Sequence, residues 1–285
     1  MTIGAMLRRD IPPADLAALA ADIDGPFQEI WIVEDLPYAG GIAQTAQVLA
    51  ATSHAKIGHG IAPTPFRNPV ALAMEWAALA VMYPGRLVAG VGHGVQEWMT
   101  QIGAAVESPM ALLEETLDCV RGLLHGEEIT MAGRYVNVDR VRLKFPPAQV
   151  PRVLAGVTGP RSLRLAGAKA DGVVLPEGWG PDEIADAKLK IAQGAASTND
   201  NPRRHLTVFA AFHIGRLDQL EPPPAGSENS WLAAGTAPSE VAEKLYTLVE
   251  AGADSLVLMP IGPTPEYQLN LAASQVLPEL VEAGQ

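Results

Sequence analysis

Glu34 and Asp35 are neighbouring carboxylates that follow an apolar run, Gln28 to Val33 (QEIWIV). Carboxylates at the end of such a run can serve as general acid and base, although a solvated loop pair has the same sequence. A second feature is Gly156-Val157-Thr158-Gly159-Pro160, which follows Val153, Leu154 and Ala155 and leads into a helical pattern. Pro160 suits the first helical position, where its missing N–H costs nothing. A turn without bulky side chains, aiming main-chain N–H groups outward at a helix start, can hold a phosphate. An ordinary tight βα loop reads the same way. Two further strand ends are rich in glycine: His59-Gly60-Ile61-Ala62, and Gly90-Val91-Gly92-His93-Gly94 with Glu97 just beyond.

Several chemistries are excluded. GVGHGV has Val95 where a dinucleotide fingerprint needs its third glycine, and no G-x-x-x-x-G-K-[ST] occurs. The histidines form no H-x-H and no H-E-x-x-H, so no metal site is expected, although His59, His93 and His213 all fall near strand ends. No lysine ends an apolar run, which argues against a Schiff base, and there is no G-x-S-x-G elbow. A barrel mouth with a phosphate-ready turn and few nucleophiles suits a bound cofactor that carries the chemistry itself.

The elements that must position these groups alternate along the chain. Apolar strand candidates at 2–6, 28–33, 56–62, 86–90, 153–155, 172–175, 205–214 and 254–259 are separated by helical patterns, starting with 12–21 and ending with 265–282. Eight strands alternating with eight helices predict an α/β fold, a (β/α)8 TIM barrel with short insertions, in preference to a doubly wound sheet. The stretch 125–150 alternates about Ala132-Gly133 as a β-hairpin insertion would, and 216–236 reads as a long loop. The whole chain, 1–285, is expected to form one domain. In such a barrel the chemistry lies at the C-terminal strand ends, which also bring Pro176 to Trp179 to the site.

Composition agrees. A chain of 285 residues, 48% hydrophobic and 18% charged, is of a size for one barrel core. The net charge of −12 argues against nucleic acid, and any phosphate must be held by local main-chain groups and a few arginines. Cys119 is the only cysteine, no apolar run reaches membrane-spanning length, and no secretory signal is evident, so a cytoplasmic setting is expected.

EDLPYAGG, GIAPTPFRNP, GRLVAGVGHGVQEWMTQIGA, GVTGPRSLRLAGAKADGVVL and GTAPSEVAEKLYTLVEAGADSLVLMP together resemble the bacterial luciferase-like family of flavin- and F420-dependent oxidoreductases. The resemblance covers nearly the whole chain. It implies an enzyme that passes hydride between a cofactor and a small organic substrate, or a monooxygenase. The loop GIAPTPFRNP is similar to the F420-binding branch, which favours F420 over FMN. By position it implies a cis Gly60–Ile61 peptide in a bulge behind the ring, with Ala62 following. It also implies a contact from His93, beside Gly92, to the ring's pyrimidine end. Gly156, Val157, Thr158, Gly159 and Pro160 would hold the phosphate, with Pro176 nearby, and Arg67 or Arg161 would meet the tail carboxylates. Asp35 stands where many members carry a catalytic histidine and Glu34 is its acidic neighbour, while Val95 replaces a glutamate that Glu97 could supply. Trp98, Trp179 and Trp231 would wall the mouth, and family habit implies a homodimer. The departures at Asp35 and Val95 leave open a flavin-binding barrel without catalysis. A phosphosugar-binding barrel is the reading without the resemblance.

Overall fold

The apolar runs become parallel strands because both faces are covered, one by helices and the other by the barrel interior. In the computed structural model, which describes residues 1–198, 201–220 and 230–283, they begin with β1 (Thr2–Leu7), β2 (Glu29–Ile32), β3 (Lys56–Pro63) and β4 (Leu87–Gly92). β5 (Ile129–Ala132) and β6 (Asn137–Val141) then form a separate antiparallel hairpin, within the insertion read from the sequence. The parallel series resumes with β7 (Arg152–Gly156), β8 (Gly172–Leu175) and β9 (His205–Ile214). β10 (Ala233–Gly235) and β11 (Ser255–Pro260) follow. β1 pairs with β2 on one side and β11 on the other, and the β8–β9 pairing closes the ring. This is the expected (β/α)8 barrel, with β10 added in parallel beside β9.

The helices are α1 (Leu16–Ile23), α2 (Gly41–Ala51), α3 (Pro69–Met82), α4 (Gln96–Gln101), α5 (Pro109–Leu124) and α6 (Pro160–Lys169). α7 (Pro181–Ala195), α8 (Pro238–Glu250), α9 (Pro265–Leu271) and α10 (Leu277–Ala283) complete them. Proline opens α3, α5, α6, α7, α8 and α9, where its fixed φ preorganises the first turn. The side chains of Asn68 and Ser108 cap α3 and α5 by accepting from Val70 N and Ala111 N.

Some boundaries differ from the sequence reading. α1 starts at Leu16 rather than Pro12, since the single turn Pro12–Asp15 has no apolar face to bury. The short α4 was hidden in a glycine-rich stretch. Part of the long loop, Ala233–Gly235, is recruited as a strand by the free edge of β9, and the loop's residues 221–229 lie outside the described residues. The last helical run contains a π-helical turn at Ala272–Val276.

Inside the barrel, Met6, Trp31, Val88, Leu154, Val174, Phe209 and Val257 form one buried cluster. Trp31 fits only because its neighbours on β3 are glycines: a β-carbon on Gly58 would stand 2.2 Å from the indole, and one on Gly60 2.6 Å. Trp31 meets Phe209 edge to face at 5.4 Å between centroids, worth about 1 kcal/mol beyond area burial. Below this layer, at the N-terminal strand ends, Trp31 Nε1 donates to Glu29 at 2.9 Å, Arg152 lies 3.7 Å from Glu29, and His205 meets Ser255 at 2.9 Å. That end is closed and polar, and its role is stability.

Candidate active site

At the C-terminal end the interior opens into a cavity of about 700 Å³. Met6, Val33, Val174, Phe209 and Met259 form its apolar floor, the upper surface of the barrel core. Gly60, Ile61, Pro63, His93, Gly94, Val95 and Trp98 line it from β3 and β4 and the loops that follow, and Gly156, Val157 and Thr158 from the end of β7. Arg8, Arg9, Asp10, Asp35, Tyr38 and Glu177 supply charged and aromatic lining.

The shape of this cavity follows from one bulge. β3 loses its register with β4 between His59 and Ala62, and the Gly60–Ile61 peptide is cis, as the resemblance implied. The Ile61 side chain is thereby laid across the neighbouring strands. A β-carbon on Gly90 would meet Ile61 at 2.9 Å, one on Gly92 at 2.7 Å and one on Gly156 at 2.9 Å. Gly90, Gly92 and Gly156, the last read in the sequence as part of a phosphate turn, leave room for Ile61. Ile61 in turn presents a half-buried apolar shelf to the cavity. A phosphate at this turn would meet the free N–H groups of the α6 first turn, not the space above Gly156.

The two carboxylates after β2 have different fates. Glu34 is 5% exposed and accepts from Arg67 Nη1 and Nη2 at 2.6 and 2.5 Å and from Gly41 N at 2.8 Å. His59 Nε2 lies 3.5 Å away. Burial pushes the Glu34 carboxyl up, but the pull of His59, Arg67 and Gly41 prevails and holds it at about 2. It is therefore a fixed anion and no proton donor near neutrality. Asp35 pairs with Arg9 at 2.8 Å, and Arg9 lies 5.1 Å over the Tyr38 ring.

The remaining expected residues divide. Pro176 and His93 line the cavity, whereas Ala62 and Gly92 are buried behind it, and Gly159 and Pro160 lie outside the lining. Glu97 is exposed on the first turn of α4, away from the lining, because that turn directs Trp98 inward instead. Trp179 and Trp231 pack against the outer core rather than on the cavity. Arg67, read as a partner for tail carboxylates, is committed to Glu34. Arg8, Arg9 and Tyr38 were missed. Their only signal was position, since Arg8-Arg9-Asp10 directly follows the first strand.

Among the lining residues, His93 has a buried ring nitrogen, Nδ1, without a partner among the described residues. Burial lowers its pKa, partly offset by the Pro109 carbonyl, so the neutral ring offers that nitrogen as an acceptor. His59 Nδ1 accepts from Trp76, while its Nε2 lies 3.5 Å from Glu34, beyond hydrogen-bond geometry, and His213 bonds to the Ile261 carbonyl at 3.1 Å.

A model of the luciferase-like monooxygenase family matches residues 3–220. The chain belongs to that family. Among its relatives is a 5,10-methylenetetrahydromethanopterin reductase of Methanolobus tindarius, 29% identical over 192 residues. The match covers 67% of this chain and 58% of that one, so the chain spans less than two thirds of this relative's length. An F420-dependent glucose-6-phosphate dehydrogenase of Nakamurella multipartita is 26% identical over 283 residues, covering 86% and 81%. The structure of the coenzyme F420 dependent tetrahydromethanopterin reductase from Methanopyrus kandleri superposes with a TM-score of 0.83 at 21% identity, covering 98% and 99%. That likeness speaks for the luciferase-like barrel alone. No helix among the described residues is long and apolar enough to cross a membrane.

Proposed function

We propose that this luciferase-like oxidoreductase binds coenzyme F420 in the 700 Å³ cavity and exchanges hydride between it and a small organic substrate. FMN is the alternative cofactor. The observation that carries the reading is the pairing, in one cavity, of the apolar Ile61 shelf with His93, whose Nδ1 has no partner among the described residues. An aromatic redox ring with a polar N–H edge answers both. The F420-dependent relatives favour the deazaflavin over FMN.

When bound, the group supplies a carbon centre that gives or takes hydride. The chain's own residues do the rest. Ile61 backs the ring, and His93 accepts from its polar edge. The first turn of α6 offers main-chain N–H groups to the phosphate beside Thr158. Tyr38, Trp98, Phe209 and Met259 exclude water from the reacting face, which strengthens every polar contact there. Asp35 has one oxygen held by Arg9, leaving the other to accept from a substrate hydroxyl. Glu97 has no part in this scheme. A homodimer and a cytoplasmic setting go with the reading, and light scattering of the purified protein tests the first.

The experiment is a titration of the purified protein with F420 and, separately, with FMN, following the fluorescence of each. Saturable micromolar binding of F420, tighter than FMN, is expected. Failure of both to bind would defeat the reading.

A further inference from the structure

Glu34 lines the cavity, and both of its carboxylate oxygens are engaged by neighbouring groups of the protein. Its Oε1 accepts from Gly41 N, at the start of α2, and from Arg67 Nη2; its Oε2 accepts from Arg67 Nη1 and faces His59 Nε2 at 3.5 Å, an electrostatic contact longer than the hydrogen bonds to Arg67 and Gly41. His59 is fully buried and is the last residue of β3 in register with β4 before the bulge. Arg67 lies just past the bulged segment, after the 3₁₀ turn Thr64–Phe66. One carboxylate thus holds both ends of the segment that contains Gly60 and Ile61.

The imidazole is oriented for this. Trp76 Nε1 can only donate, and it donates to His59 Nδ1 at 3.3 Å. The His59 ring proton therefore sits on Nε2, the nitrogen that faces Glu34. Space for the arrangement depends on Gly41, where a β-carbon would stand 2.2 Å from His59 Nε2 and 2.9 Å from Glu34 Cβ. Glu75 joins at the rim, 3.5 Å from Arg67 Nε.

We propose that Glu34 is a positioning residue: by clamping His59 on one side and Arg67 on the other, it sets the place of the Ile61 shelf that backs the bound ring. The inference rests on the reading of the cavity as a redox-ring site, but the clamp itself can be tested without any cofactor. It assigns Glu34 no proton transfer, in contrast to what its place beside Asp35 suggested.

The test uses Glu34→Gln, with Glu34→Asp as the conservative variant, in the full chain. Amide hydrogen exchange of the protein alone should rise in residues 59–67 of Glu34→Gln and stay unchanged in β7 and β8. The ¹⁵N spectrum of wild type should show a His59 ring protonated on Nε2, with that signal shifted in the variant. F420 affinity should fall about tenfold or more in Glu34→Gln, the equivalent of one charge-assisted hydrogen bond, and less in Glu34→Asp. If Glu34→Gln does not fold, Arg67→Met makes the same test by removing one side of the clamp while leaving Glu34 facing His59 and bonded to Gly41 N. Unchanged exchange across 59–67 in a folded variant overturns the clamp, whatever F420 does. Absence of F420 binding to wild type, with exchange rising as expected, overturns the cofactor reading and leaves the clamp standing.

Discussion

The Cγ2 methyl of Ile61 stands 2.9 Å from the point a β-carbon on Gly156 would occupy, closer than real β-carbons come to a neighbour. The glycine after β7 and the isoleucine after the β3 bulge are therefore one packing unit. Gly156→Ala should push Ile61 into the cavity, lowering stability by about 1–3 kcal/mol, the usual cost of overpacking. It should weaken F420 binding as well. Adding Ile61→Ala should restore much of the melting temperature but not the affinity, because the shelf is then gone. Additive losses of stability in the double variant would show that the two positions are not coupled.

His93 gives a prediction whose two halves have opposite signs. Its Nδ1 is buried without a partner among the described residues, at a cost to stability of about 1–3 kcal/mol. His93→Leu should raise the melting temperature of the protein alone and at the same time weaken F420 binding by up to about tenfold, the worth of one neutral hydrogen bond. Thermal melts with and without F420 read both effects in one experiment. A fall in both quantities would mean that the imidazole is already satisfied.

Asp35 and Glu97 separate two carboxylates that look equivalent in the sequence. Asp35 lines the cavity beside Arg9, and Glu97 points away from it. Glu97→Gln should leave F420 affinity and turnover unchanged. Asp35→Asn should lower kcat more than it changes F420 affinity. It should shift stability by less than about 1 kcal/mol, since the Arg9 pair is partly exposed. Steady-state kinetics with the natural substrate, once found, check the first pair of outcomes, and denaturant melts the last.

Glu34 and His205 both contribute to the acid limb of stability. Glu34 is held at about 2, below its usual 4.5, so its contribution is complete above pH 4.5 and is lost as pH falls towards 2. Burial, with Arg152, Arg203 and Lys56 nearby, lowers His205 to about 4 from 6.5, against the opposing pull of Asp254. Between pH 6.5 and 4 the unfolded chain binds a proton there that the folded chain refuses, so stability falls as pH falls through that window. Glu29, raised by burial despite Trp31, Arg152 and Lys56, acts in the opposite direction, its contribution falling as pH rises. Melting temperatures across pH 4–7.5 should drop on the acid side, and His205→Asn should flatten the slope. An unchanged slope would remove His205 from this role.

The barrel was legible because its strands are apolar on both faces and six of its described helices open with proline, both local signals. The ends of β3, β4 and β7 were correctly marked by their glycines, but a packing role for them was not visible. Gly90, Gly92 and Gly156 accommodate Ile61, a contact between strands far apart in the chain that no local pattern encodes. The same limit hid the fate of the carboxylates. Only the fold brings Arg67 and His59 to Glu34, and Arg9 to Asp35. Trp179 and Trp231 were expected at the mouth for their chemistry, yet the outer core claimed their surface.

The central claim is that a redox ring rests on Ile61 with its polar edge at His93. A crystal structure of the protein grown with F420 tests this most directly. The account predicts ring density in contact with the Ile61 side chain, a hydrogen bond to His93 Nδ1, and the phosphate against the first turn of α6. Density for the ring elsewhere, or a ring whose face is turned away from Ile61, would contradict it.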